Sequence, residues 1–85
     1  MQVLIPSALH SYTRRSLVQA RGATLAELFA DLDRQFPGIC FRMVDEQQQM
    51  RSHIRVFVNG ASIRDLTQPL PETDQVSIVQ ALSGG

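Results

Sequence analysis

The sequence predicts a single α+β domain in which a mixed sheet of four to five strands packs one face against one main helix. The length of 85 residues suits one domain, since most domains contain about 50 to 250 residues. One central segment has the apolar period of a helix, and the segments before and after it have the features of strands. A helix and a sheet each bury an apolar side by packing together. We expect this body to span residues 1–80 and a flexible tail to span residues 81–85.

Two short apolar segments precede the helix. Residues 2–5, QVLI, are closed by Pro6 and predict a strand. Residues 16–20, SLVQA, predict a second strand, and the polar residues 10–15 between them predict a turn. We therefore expect an N-terminal hairpin.

The helix has the clearest local signals in the chain. Thr24 followed by Glu27 forms a capping box, in which each side chain satisfies a backbone donor at the helix start. The helix should begin at Leu25 and end at Pro37-Gly38. Its apolar stripe consists of Leu25, Leu28, Phe29, Leu32 and Phe36.

A second hairpin follows the helix. Residues 53–60, HIRVFVNG, alternate apolar and polar side chains with the period of a strand. Asn59-Gly60 is a strong signal for a tight turn, so residues 61–64 should pair back as a short strand.

Three further segments flank the second hairpin. Residues 39–44, ICFRMV, are too short and mixed to assign. Residues 66–74 contain Pro69 and Pro71 and should be mostly loop. Residues 75–80, QVSIVQ, predict the last strand.

Composition excludes several classes of function. The basic and acidic residues balance at eight each, so the chain lacks the positive charge of a nucleic-acid-binding domain. No stretch approaches the roughly 18 apolar residues of a membrane-spanning helix, and the first residues do not resemble a signal peptide. A single cysteine, Cys40, cannot form an intramolecular disulfide, which suits a reducing compartment. We expect a cytoplasmic protein that binds neither nucleic acid nor membranes.

No catalytic or metal-binding constellation is visible in the sequence. The glycine-rich patterns that bind phosphate are absent, and His10 and His53 have no neighbours at metal-ligand spacing. Cys40 lies between apolar residues, which favours an inert thiol. The adjacent Arg14 and Arg15 are interpreted as ordinary surface charge in preference to a contact with an acidic partner. The chain is therefore expected to be neither an enzyme nor a holder of a metal or cofactor.

The terminal glycines are the remaining distinctive feature. The carboxylate of Gly85 is an anion at neutral pH and a poor electrophile, so it needs activation, for example as an acyl-adenylate made by an enzyme that uses ATP. Gly84 and Gly85 lack a Cβ atom and can approach a nucleotide backbone-first through a narrow channel.

A docking patch on the body would offset the cost of ordering such a tail. If alternate residues of the strands face the helix, Phe57 and Val79 face solvent, where apolar groups suggest a partner surface. Ile63 is expected to join them. The alternative is that these are scattered exposed apolar residues without a role.

The order of these elements before a terminal Gly-Gly resembles the MoaD/ThiS family of ubiquitin-like sulfur carriers, which have the β-grasp fold. The resemblance covers essentially the whole chain. Its motifs are VLIPSAL, GATLAELFADLDRQFPGI, HIRVFVNGASIRDL and DQVSIVQALSGG.

The resemblance implies that a ubiquitin-activating-enzyme-like adenylyltransferase, using ATP and Mg²⁺, adenylates Gly85, which is then converted to a thiocarboxylate. Gly84 and Gly85 would form the adenylation and thiocarboxylate site. The implied partner-docking residues are Phe57, Ile63, Val79 and Leu82.

Within the family, the FPGI, VNG-IR and ALSGG segments look most like the carriers that serve cysteine biosynthesis. There the thiocarboxylate reacts with an activated serine on a cysteine-synthase-like enzyme, and a metal-dependent peptidase releases the cysteine. Molybdopterin synthesis, thiamine synthesis and a secondary-metabolite pathway are the alternatives.

Two other classes of function remain compatible with the sequence. One is a modifier whose Gly85 becomes attached to lysines of other proteins. Because this chain contains no lysine, it could not form lysine-linked polymers of itself. The other is a non-catalytic interaction domain with trailing glycines.

Overall fold

The computed structural model describes residues 1–71 and 75–81, which form a five-stranded mixed sheet with helices. The strand order across the sheet is β2-β1-β5-β3-β4. The central strand, β5, pairs in parallel with β1 and antiparallel with β3. The strands are β1 (Gln2–Leu4), β2 (Leu17–Gln19), β3 (Ile54–Val58), β4 (Ala61–Ile63) and β5 (Gln75–Gln80). The sheet thus has five strands, the upper value of the four to five predicted, and their predicted order along the chain is confirmed.

The N-terminal hairpin is confirmed, but its connection is more structured than the predicted turn. Val3 pairs with Val18 in an antiparallel ladder. The connection contains a 3₁₀ turn, Ser7–Leu9, and a short helix, α1 (His10–Thr13). Leu9 and Thr13 are buried, so this segment contributes to the core instead of lying in solvent.

The main helix, α2 (Leu25–Gln35), begins where its capping box predicts. The Thr24 hydroxyl oxygen accepts the N–H of Glu27 at 3.2 Å. The Glu27 carboxylate accepts the N–H of Ala23 at 3.3 Å, one residue before the cap. Four of the five stripe residues are fully buried against the sheet, and Phe36 packs at the edge of the core.

A further helix, α3 (Ile39–Met43), occupies the segment that the sequence left unassigned. Ile39 and Met43, four residues apart, are both buried, which is the spacing of one helix face. The Asp33 carboxylate accepts the N–H groups of Gly38 and Cys40 at 3.0 and 3.2 Å and so satisfies donors at the helix start.

The β3–β4 hairpin turns at Asn59 and Gly60, both with positive φ, as a tight hairpin turn requires. The side chains of β3 and β5 that were predicted to face the helix are all buried, namely those of Ile54, Val56, Val58, Val76 and Ile78.

No helix in the part of the chain that the structure describes is long and apolar enough to cross a membrane.

Candidate functional site

The chain leaves the sheet beside the first residue of β3. Gln80 pairs with Ile54, and the N–H of Ala81 donates to the carbonyl oxygen of His53 at 2.7 Å. Ala81, where the sequence predicts that the tail begins, is therefore hydrogen-bonded to the body, and the boundary of the tail stays a prediction. The predicted site residues Leu82, Gly84 and Gly85 lie outside the described residues.

The sheet has an outer face turned away from α2, and two predicted docking residues lie on it. Phe57 is 36% exposed and Val79 is 41% exposed. Phe57 lies opposite Ser77, and Val79 lies opposite Arg55. The predicted orientation of both side chains is confirmed, and their role in docking stays a prediction.

Ile63 does not lie on the outer face, so the expectation that it joins Phe57 and Val79 there is wrong. It is only 4% exposed and belongs to the core. Ile63 lies directly opposite Val56 in the β3–β4 ladder. Opposite residues of neighbouring strands point to the same face, so Ile63 points toward the helix with Val56.

Two apolar residues of the outer face were missed from the sequence. Leu4 and Leu17 are 37% and 39% exposed and lie opposite each other in the β1–β2 ladder. Leu4 is also the parallel partner of Ser77, which lies opposite Phe57. Val3 and Ile5 are buried, so Leu4 between them points to the outer face, an orientation that the short segment of residues 2–5 did not show by itself. The outer patch therefore consists of Leu4, Leu17, Phe57 and Val79.

The body supplies little chemistry of its own. Cys40 is half-buried, and burial, assisted by the negative charge of Asp33, raises the pKa of its thiol. A raised pKa leaves little thiolate at neutral pH. One ring nitrogen of His10 is 3.0 Å from the carbonyl oxygen of Ile5. Residues 1–71 and 75–81 contain no group of three or more side chains that could hold a metal ion.

A mixed sheet of this order, with its main helix packed on one face and its last strand in the centre, defines a ubiquitin-like β-grasp protein. Val79 of the outer patch lies two residues before Ala81, beside the chain exit, whereas Phe57 lies close to the β3–β4 turn at the other end of β3.

The model of the ThiS family matches residues 3–85, so the chain belongs to the ThiS family. The chain is 30% identical over 89 residues to the sulfur carrier protein CysO of Mycobacterium tuberculosis H37Rv. That alignment covers 98% of this chain and 96% of the relative.

Solved structures agree with the family. The CysO crystal structure from M. tuberculosis has a TM-score of 0.86 at 28% identity and covers 95% of this chain and 98% of that one. A chain in the crystal structure of the Amycolatopsis orientalis BexX/CysO complex has a TM-score of 0.88 at 32% identity, covering 99% and 98%. SAMP1 from Haloferax volcanii has a TM-score of 0.80 at 20% identity, covering 100% and 98%, and shares the fold.

Proposed function

We propose that this protein is a sulfur carrier whose Gly85 carboxyl group is converted to a thiocarboxylate. The observation that supports this most strongly is the family match, which extends through Gly85 and is accompanied by full-length similarity to CysO sulfur carriers. The chain acts as a co-substrate, and its partner enzymes perform the catalysis.

The conversion needs two steps on a partner enzyme, first an adenylyl transfer to the carboxylate and then an acyl transfer to sulfur. A carboxylate oxygen of Gly85 attacks the α-phosphorus of ATP, and pyrophosphate leaves. The resulting acyl-adenylate has AMP as a good leaving group. A hydrosulfide then attacks the acyl carbon, AMP leaves, and the thiocarboxylate remains. The adenylyltransferase supplies the ATP and Mg²⁺, and we place the reaction in the cytoplasm.

The outer patch is the proposed docking surface for the adenylyltransferase. Its four apolar side chains are partly exposed on one sheet face. Burying Phe57 and Val79 against a partner would offset the conformational entropy lost when the tail is ordered in an active site. Leu82 is proposed to extend this contact onto the tail.

Cysteine biosynthesis is the proposed pathway. CysO is the name of the relatives that match at 30% and 32% identity. In this proposal the thiocarboxylate sulfur attacks an activated serine on a cysteine-synthase-like enzyme and displaces its leaving group. Molybdopterin and thiamine synthesis would need a different sulfur acceptor. An assay of sulfur transfer to each acceptor therefore distinguishes these pathways from cysteine biosynthesis.

Intact-mass spectrometry tests the central step. The protein is incubated with the adenylyltransferase of its own genome, ATP, Mg²⁺ and sulfide. We expect the mass change that replacing one oxygen by one sulfur produces, localised to Gly85. Deleting Gly85, or adding a residue after it, should abolish the change while the circular dichroism spectrum of the body stays the same.

The same experiment separates the competing functions. An unchanged mass with an enzyme that is active on another carrier would contradict the proposal. Recovery of Gly85 joined to lysines of other proteins, with no thiocarboxylate formed, would favour the modifier.

A further inference from the structure

The arginines are concentrated at the end of the sheet where the chain leaves β5. Six of the eight lie there, on both sides of Ala81, and we call them the arginine rim. Its members are Arg14, Arg15, Arg42, Arg51, Arg55 and Arg64.

Direct contacts place four rim members beside the exit. Arg42 and Arg51 line a shallow pocket with His53 and Gln80, the residues that bracket the exit. Arg55 lies opposite Val79 on the outer face. Arg64 lies beside Arg55, since both guanidinium groups donate to the carbonyl oxygen of Ile54 at 3.3 Å.

Strand pairing places Arg14 and Arg15 at the same end of the sheet. The N–H of Ile5, just after β1, donates to the carbonyl oxygen of Ser16 at 2.7 Å. Because β1 and β5 are parallel, the residues after β1 lie level with the last residues of β5.

Carboxylates neutralise the rim only in part. The ion pair of the described residues is Arg34 with Asp31 at 2.6 Å, away from the rim. Asp45 and Asp65 lie near the rim and Glu46 follows Asp45, so three carboxylates stand against the six guanidinium groups. Among the described residues, positive charge therefore exceeds negative charge around the exit.

We propose that the arginine rim binds an acidic protein surface that surrounds the mouth of the channel into which the tail is threaded. This rests on the proposed function and adds the chemistry of the partner. Phe41 supports a protein as the ligand. Its side chain is 57% exposed, and the guanidinium carbon of Arg51 lies 4.9 Å from the centroid of its ring. Arginine and aromatic side chains together are typical of the energetically important residues of protein interfaces.

The phosphates of ATP are too distant to be the ligand of the rim. Four residues follow Ala81 in the sequence, and an extended chain of that length spans about 14 Å. A tail extended into an active site thus places the Gly85 carboxyl, with the phosphates, beyond the reach of the rim. The arginine rim instead contacts the surface of the adenylyltransferase around the mouth of its channel.

Charge reversal at one rim position tests this. Arg42→Glu changes an exposed side chain of α3, and Arg21→Glu is the matched control, exposed beyond the end of β2 at the opposite end of the sheet. Association with the adenylyltransferase is measured without ATP by stopped-flow fluorescence. Screening lengths are about 10 Å in 0.1 M salt and about 3 Å in 1 M salt.

In 0.1 M salt, Arg42→Glu should slow association by about three- to tenfold, and Arg21→Glu by less than about twofold. In 1 M salt the two variants should associate at the same rate. Equal rates at both salt concentrations would overturn the rim proposal. So would displacement of the wild type from the enzyme by a short single-stranded oligonucleotide but not by a polyglutamate peptide.

Failure of the proposed sulfur-carrier function can be distinguished from failure of the rim proposal. A wild type that associates with the enzyme but is never converted at Gly85 would remove the sulfur-carrier function and leave the rim result intact. Normal conversion together with equal association of the two variants would remove the rim alone.

Discussion

Ile63 lies directly opposite Val56, and both side chains are buried in the core. Phe57, the next residue along β3, points to the outer face. Side chains alternate between the two faces of a sheet. The consecutive residues Val56 and Phe57 therefore lie on different faces, one in the core and one at the proposed docking surface.

Truncating Ile63 should mainly reduce stability, whereas truncating Phe57 should mainly reduce binding to the partner enzyme. Ile63→Ala should destabilise the fold by about 2 to 5 kcal/mol, because it leaves a cavity in the core. Phe57→Ser should cost less than Ile63→Ala in stability but weaken association with the adenylyltransferase by about tenfold. Urea denaturation and binding titrations measure the two effects. A normal affinity for Phe57→Ser would contradict docking at the outer patch.

Removing the helix cap should cost about 1 kcal/mol. Thr24→Ala deletes the hydroxyl that accepts the N–H of Glu27 and leaves that donor without its cap. Thr24→Ser retains the oxygen and is the matched control. Thermal denaturation should show a lower midpoint for the alanine variant than for the serine variant. Equal midpoints would show that the cap contributes nothing.

Two glycine-to-alanine changes should differ in their cost. A Cβ atom at Gly22 would lie 2.3 Å from the backbone nitrogen of Leu28, so α2 would have to move. Gly60 has φ of +82° and open space around it, so alanine there meets only backbone strain, which costs about 1 to 2 kcal/mol.

Gly22→Ala should therefore destabilise the protein more than Gly60→Ala, by about 1 kcal/mol or more. Urea denaturation of both variants provides the comparison. The opposite order would mean that the loop before α2 relaxes without cost.

Acid should destabilise the fold through two carboxylates. The hydrogen bond from Arg34, followed by the N–H of Arg21, lowers the pKa of Asp31. The Thr67 hydroxyl and N–H lower the pKa of Asp65. A carboxyl whose pKa is lowered by folding contributes stability above its unfolded pKa of about 3.9, and that contribution is lost as the pH falls through the folded pKa.

The melting temperature should therefore hold from pH 7 to about pH 5 and fall below about pH 4. Asp31→Asn should reduce this dependence, because it removes the carboxyl whose pKa folding lowers. An identical pH dependence for Asp31→Asn and the wild type would contradict the assignment to Asp31.

The Cys40 thiol should react slowly while the protein is folded. Its pKa is raised by burial and by Asp33, so the thiolate should be scarce near pH 8. Alkylation by iodoacetamide at pH 8 should be about tenfold slower or more than in urea, where an ordinary pKa of about 8.5 applies. Equal rates would show that the thiol is accessible and ionised in the folded state.

The sequence predicted the elements with strong local signals. The capping box marked the start of α2, Asn59-Gly60 marked the hairpin turn, and the alternation in residues 75–80 marked β5. Each of these signals depends on neighbours along the chain, so it can be read without tertiary structure.

Features that depend on tertiary contacts could not be predicted from the sequence. α3 has five residues, and its start is stabilised by Asp33 on the preceding helix. The orientation of Ile63 depended on its register with Val56, which the short segment after Asn59-Gly60 did not reveal. Leu4 emerged as part of the outer patch only when β1 was found beside β5.

The central place of β5 has a mechanical consequence. A partner that draws the chain end into its active site exerts a pull along β5, and the hydrogen bonds to β1 on one side and β3 on the other resist that pull together. The force acts parallel to the strands and is distributed over the hydrogen bonds of both ladders. The folded body can therefore stay intact while the partner binds the chain end.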